Sequence, residues 1–220
     1  MKKYYFLIIV ALILGLVLTG CSLLSNISQV PATEQSGITY LTKNGTSPVL
    51  VARWKFDEES GATTVADNSG NNNTGDIYGA TPGEMGKFGN ALSFDGADDY
   101  VDCGAEVDDS INTGITLEAW IMPAFQQSGG IISNDITNST KKGYDFFLWY
   151  GNAIYGRLYI DFCLGRTSWA IPSSDWYNQW HHVAATWNGS KIMLYVDESM
   201  VEEVEYSGTY CDPGKDTFIG

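Results

Sequence analysis

Two short apolar runs, residues 182–187 (HVAATW) and 191–197 (KIMLYVD), flank Asn188-Gly189-Ser190. Asn-Gly accepts positive φ in a tight reversal, so the segment reads as an antiparallel β-hairpin. The same texture recurs from Val49 onward. Residues 49–56 (VLVARWKF), 91–94, 100–103, 115–122 (ITLEAWIM), 144–150, 157–164 and 168–171 are short apolar or alternating runs. Gly, Asn and Asp clusters separate them, of which residues 67–75 (DNSGNNNTG) are the purest turn chemistry. Residues 49–220 show no sustained helical period. The expectation is one all-β domain of about 170 residues, a two-sheet antiparallel sandwich with room for a sizeable core.

The N-terminus follows another logic. Lys2 and Lys3 precede an uncharged apolar run, residues 4–18 (YYFLIIVALILGLVL). The run is shorter than the about 20 residues a spanning helix needs and suits the core of a signal peptide. Leu18-Thr19-Gly20-Cys21 resembles the lipobox of bacterial lipoproteins, in which the matching cysteine is acylated and becomes the new N-terminus. That resemblance implies a signal helix over residues 1–20, lipidation of Cys21 and an extracytoplasmic, membrane-anchored protein at the cell surface or in the periplasm. Residues 21–48 are rich in Ser, Thr, Asn and Gly and read as a flexible tether.

The net charge is −14, from 12 basic and 26 acidic residues. Nucleic-acid phosphates need Lys and Arg, so nucleic acid is excluded as a partner. Carboxylates suit Ca²⁺, which takes oxygen ligands. Asp95, Asp98 and Asp99 crowd one turn and Asp57 ends a strand; they are candidate ligands of a structural Ca²⁺, with a solvated turn as the alternative. Cys21 aside, Cys103, Cys163 and Cys211 remain, so at most one intrachain bridge forms. Cys163–Cys211 is the expected pair, since both lie on strands expected in the second half; three buried thiols are the alternative.

Aromatic residues make up 13% of the chain, with seven Trp. Flat rings stack on the apolar faces of sugars, and they also build β cores. Trp149, Tyr150 and Tyr155 flank a Gly-Asn turn, and Trp169 and Trp176 flank residues 172–175; these five are the candidate ligand contacts. For Trp149 and Trp176, packing is the competing role. Trp120, Trp180 and Trp187 stand in expected strands and are assigned to the core.

Four segments in order resemble the LamG-like jelly-roll family of the concanavalin A-like lectin/glucanase superfamily. They are residues 54–58 (WKFDE) with 67–71 (DNSGN), 86–101 (GKFGNALSFDGADDYV), 116–121 (TLEAWI), and 180–187 (WHHVAATW) with 194–197 (LYVD). The resemblance covers roughly residues 50–220. It implies a jelly-roll sandwich, a Ca²⁺ site near such loops and Glu118 pointing from a nearby strand. Glu198 departs from the glycine usual after Asp197, which alters a hairpin turn. The family's closing segment would follow Gly220, so the domain is expected to lack its last strand or strands, with residues 217–220 as an unpaired edge.

No catalytic residues are assigned. His181 and His182 would face opposite sides of a strand and cannot share a metal. Retaining glucanases of the superfamily place carboxylates about 5–5.5 Å apart on one strand face. Their Glu-x-Asp-x-x-Glu pattern fails in residues 106–111 (EVDDSI) at Ile111. Glu203 and Glu205 share a face but read as the outside of a hairpin. The functional expectation is a lipid-anchored, non-catalytic binding module for carbohydrate, polysaccharide or a surface protein. The alternative is an accessory binding domain of a larger secreted hydrolase whose catalytic part lies beyond Gly220.

Overall fold

The computed structural model describes residues 5–7, 50–105, 114–124, 127–134, 142–151 and 154–220. The described residues form fifteen strands: β1 (Tyr5–Leu7), β2 (Thr64–Val65), β3 (Gly75–Tyr78), β4 (Thr81–Met85), β5 (Asn90–Ser93), β6 (Tyr100–Asp102), β7 (Ile115–Met122), β8 (Gly129–Ser133), β9 (Tyr144–Trp149), β10 (Arg157–Phe162), β11 (Gly165–Ala170), β12 (His181–Trp187), β13 (Lys191–Val196), β14 (Ser199–Glu205) and β15 (Phe218–Ile219). One sheet has the order β14-β13-β12-β7-β1-β5-β4; the other is β11-β10-β9-β8-β15-β6-β3-β2. The strand pairings are antiparallel. Inward residues of both sheets, among them Leu92, Leu117, Ile121 and Val183 of one and Val101, Phe146, Leu158 and Ile160 of the other, form one core. The fold is a two-sheet antiparallel jelly-roll sandwich.

Cys21 and the tether, residues 21–48, lie outside the described residues, as does most of the expected signal helix. Where that segment is described it is not helical: β1 pairs Phe6 with Ile121 of β7 and with Leu92 of β5. A short apolar run fits a strand as well as a helix, and periodicity alone does not separate them.

The alternating run 115–122 behaves as its pattern dictates, buried at every odd residue from Ile115 to Ile121. The expected strand over 49–56 does not form as a ladder; its backbone is held by side chains. Asp67 Oδ1 accepts the Arg53 N–H at 2.9 Å, and the Val51 carbonyl accepts from Ser69 Oγ and from the amides of Asn71 and Asn73. Trp54 makes one isolated bridge, to Asp67. The Asn-rich turn therefore substitutes for a partner strand, since buried backbone groups need some partner. Phe56 then turns the chain with φ of 59°.

Residues 217–220 were expected at an unpaired edge. Instead β15 lies inside its sheet, with Phe218 opposite Asp102 on one side and Ser133 on the other. Trp187 is in the core and Trp180 packs half-buried against it. Trp120 also packs half-buried against the core, from an even position of β7, with the Phe88 ring perpendicular to it and Lys87 over it.

Asp197 and Glu198 join β13 to β14 with φ of 47° and 68°. Positive φ at consecutive positions is the hairpin turn that favours glycine. Glu198→Gly is therefore expected to raise stability by about 0.5–1 kcal/mol, read by urea denaturation, because the left-handed conformation costs a side-chain-bearing residue about 1 kcal/mol and glycine's unfolded-state freedom returns only part of it.

Cys103 is a buried free thiol. Burial, with the charges of Asp102 and Asp67 behind it, pushes its pKa well above the ordinary range. Alkylation proceeds through thiolate. The native protein is expected to leave Cys103 unmodified by iodoacetamide at pH 8, and the denatured protein to modify it fully, as peptide mass spectrometry reads.

Candidate functional site

Between β5 and β6 the chain reverses through Asp95-Gly96-Ala97-Asp98-Asp99. The turn is built by its own carboxylates: Asp95 Oδ1 accepts the Ala97 N–H at 2.9 Å and Asp99 Oδ2 accepts the Asp95 N–H at 2.8 Å. Gly96 has φ of 76°. This folding brings one carboxylate oxygen each of Asp95, Asp98 and Asp99 within 4.8 Å of one another. Burial, and then the negative charges of Asp95 and Asp98, raise the Asp99 pKa against the pull of the Asp95 N–H. Oxygen-only donor sets of this kind are what a hard cation takes.

Asp57 is not in this cluster. Its Oδ1 accepts the Asn90 N–H at 3.2 Å and its carbonyl accepts from the Asn90 amide, so it fastens the first extended segment to β5. Glu118 is also elsewhere: it faces His182 at 3.4 Å on the outer side of the other sheet. The histidines part as strand geometry requires. His181 donates through Nε2 to the Trp176 carbonyl at 2.9 Å and stacks on the Trp176 ring, while His182 meets Glu118 and Trp120. Glu203 and Glu205 both reach Lys191, on the outside of the β13–β14 hairpin.

Beside the acidic turn a cleft of about 220 Å³ opens, lined by Phe94, Asp99, Pro123, Gln127, Gly130 and Leu148 among others. The residues after β7, at the start of β8 and on β9 supply most of its wall. Ser128 ties it to the next turn by accepting the Tyr150 N–H at 2.9 Å. Trp149, next to the lining residue Leu148, is 40% exposed.

The five candidate aromatics separate by environment. Trp149 is the exposed ring. Tyr150 braces its turn, its hydroxyl donating to the Ile154 carbonyl at 3.0 Å. Tyr155 is half-buried, and its carbonyl accepts the Tyr177 hydroxyl. Burial pushes the pKa of that hydroxyl up to about 12. Trp169 packs half-buried against the core from the position opposite Leu158. Trp176 is 6% exposed, between the rings of Trp169 and His181. Trp176 is thus a packing residue. The cleft itself was not visible in sequence, because Phe94, Pro123 and Leu148 meet only in three dimensions.

Structural comparison aligns the chain with an SAP-like pentraxin of Limulus polyphemus at 18% identity and TM-score 0.37, covering 50% of this chain and 54% of that one. It aligns with domains LG4-5 of the mouse laminin α1 chain at 20% identity and TM-score 0.38, covering 51% and 29%. It also aligns with domain 4 of AbnA, a GH43 extracellular arabinanase of Geobacillus stearothermophilus, at 17% identity and TM-score 0.48, covering 73% and 83%. The chain thus spans about half of the pentraxin and under a third of the laminin fragment. No curated protein matches it. A family model, Laminin_G_3, described as the concanavalin A-like lectin/glucanases superfamily, matches residues 95–220. That match runs over more than half of the sequence, from the acidic turn through β15, and on it the chain belongs to the concanavalin A-like lectin/glucanases superfamily.

Proposed function

We propose that this domain is a carbohydrate-binding module that binds without catalysing, held outside the cytoplasm by a lipid on Cys21. The observation that carries the reading is the juxtaposition of the acidic turn and the cleft beside Asp99, with Trp149 exposed on the outer face of the strand whose Leu148 lines that cleft. A sugar offers hydroxyls that donate to carboxylates and C–H faces that stack on an indole. A concave site with a few convergent polar groups is the usual form of a ligand pocket. Binding of the full chain to an array of neutral glycans, with Ca²⁺ present, tests the reading; no binding to any of them overturns it. The anchor has its own test. Labelled fatty acid should enter the wild-type protein in cells and not the Cys21→Ser variant, and equal labelling of both would end that part.

Asp95, Asp98 and Asp99 would hold a Ca²⁺, and the ion would supply coordination for sugar hydroxyls and neutralise the repelling carboxylates. An ion present at a hundred times its Kd stabilises by about 2.7 kcal/mol. Ca²⁺ is therefore expected to raise Tm by about 5–10 °C over EDTA. Asp95→Asn with Asp99→Asn should abolish that shift. An unchanged melting curve argues against the ion.

A further inference from the structure

We propose that the outer face of the eight-stranded sheet is a second, extended contact surface, which takes an internal stretch of a neutral polysaccharide. The proposal rests on the carbohydrate reading above and adds a surface that shares only its glycine floor, Gly130 and Gly220, with the cleft.

Four strands of this sheet carry the same unit, a ring and a carboxylate two residues apart: Asp76 and Tyr78 on β3, Tyr100 and Asp102 on β6, Asp145 and Phe147 on β9, Tyr159 and Asp161 on β10. Residues two apart on a strand share a face. The residue between them in each case, Ile77 partly buried and Val101, Phe146 and Ile160 fully, points into the core, so the rings and the Asp76, Asp102 and Asp161 carboxylates lie on the outer face, while Asp145 holds the matching register position but is buried. The registers align the units: Tyr78 is opposite Tyr100, Asp76 opposite Asp102, Phe147 opposite Tyr159 and Asp145 opposite Asp161. The result is a row of rings beside a row of carboxylates.

The rings form two banks. Tyr78 stacks on Tyr100 at 4.7 Å, and Tyr100 meets the Phe218 edge at 5.7 Å. Phe147 stacks on Tyr159 at 5.2 Å, and Trp149 meets Tyr159 at 5.9 Å. Tyr78, 46% exposed, and Trp149 are the open ends. Between the banks the row runs over Gly130, opposite Phe147, and Gly220, next to the β15 residue that pairs with Val101. A Cβ on Gly130 would fall 2.6 Å from the Gly220 carbonyl oxygen, so this floor carries no side chain. From β3 to β10 the face crosses five strand spacings, roughly 24 Å. That is a footprint for an oligosaccharide stretch, not for one sugar ring.

The charge selects the occupant. Carboxylates accept from sugar hydroxyls and repel phosphate, sulfate and uronate groups. On this face Arg166 lies over Tyr159 and pairs with Asp161, and Arg157, opposite Trp149, donates to Ser168, so the net negative charge sits at the β3–β6 end on Asp76 and Asp102. A polyanion is therefore disfavoured, and a polyhydroxylated neutral chain satisfies rings and carboxylates together.

The test is affinity electrophoresis of the full chain through gels containing xylan, arabinan, laminarin or galactomannan, with polygalacturonate as the anionic counterpart. Retardation by at least one neutral polymer is expected. Tyr159→Ala and Tyr100→Ala should each weaken it about tenfold, the scale of one lost aromatic contact, and Tyr159→Phe should retain it. Thermal melts of the variants confirm that each is folded. Binding that survives both alanine variants but is lost with Asp95→Asn and Asp99→Asn keeps the carbohydrate reading and overturns this surface. Equal retardation by polygalacturonate overturns the charge argument. A concentration-dependent dimer in sedimentation, lost in Tyr159→Ala, would show that a second copy is the occupant. Binding to none of the polymers sinks both readings.

Discussion

Replacing Cys163 and Cys211 together by serine is expected to lower stability by about 4 kcal/mol, or about 8–16 °C in Tm. The two sulfurs are joined across a sequence separation of 48 residues, and closing a loop of that length is what sets the estimate. The structure says why the bridge matters here. After β14 the chain runs from Tyr206 to Thr217 with no regular strand before β15. Few ladder bonds hold it: the Cys211 carbonyl accepts the Gly143 N–H at 2.8 Å, and Tyr210 packs against Phe162 at 5.8 Å. The bridge fixes this connection to the β10–β11 turn and so delivers β15 to its slot between β6 and β8. Reduction should therefore cost β15 and the face it completes before it costs the β12–β13 hairpin. Tm measured with and without dithiothreitol, and amide exchange at Ile219 against Ala185, separates the two. Identical melts in both conditions would show that the bridge carries no stability. Disulfides persist best in oxidising compartments, in keeping with the export proposed for the chain.

What could be read from sequence was local. Residues 115–122 alternate and are buried alternately, and Asn188-Gly189 turns a hairpin in which Asn188 Oδ1 accepts the Ser190 and Lys191 N–H groups. The acidic turn was legible for the same reason, since Asp95, Asp98 and Asp99 are neighbours along the chain. β4 was not legible, because Pro82 and Gly83 inside it argue for a turn. Nor was the role of each Trp: Trp149 and Trp176 have similar surroundings in sequence, and only packing buries the second. The ring-and-carboxylate units are visible as Asp-x-aromatic or its reverse, but not the strand order that lines them up. β1 raises a conflict that sequence alone could not pose. Cleavage before Cys21 would remove it and leave a gap one strand wide between β5 and β7, in the middle of a sheet. Unpaired edges of that kind attract other strands, so a processed chain must fill or shield the gap.

Trp54→Ala is expected to destabilise the domain by about 3–5 kcal/mol, the range for deleting a large buried aromatic. Trp54 is among the largest fully buried side chains, and its Nε1–H donates to the Asn73 carbonyl at 2.6 Å. Trp54→Phe keeps most of the apolar volume but leaves that carbonyl without its donor, so a smaller loss of about 1–3 kcal/mol should follow. The substitution tests more than packing. Trp54 stands well before residue 95, where the family match begins, on a segment held by side chains instead of a ladder. If residues 50–73 belong to the cooperative unit, the variant shifts the single unfolding transition seen by far-UV circular dichroism in urea. A shift below about 1 kcal/mol, or a separate early transition, would mean that the Asn-rich clamp is an appendage and that β3 to β15 fold without it.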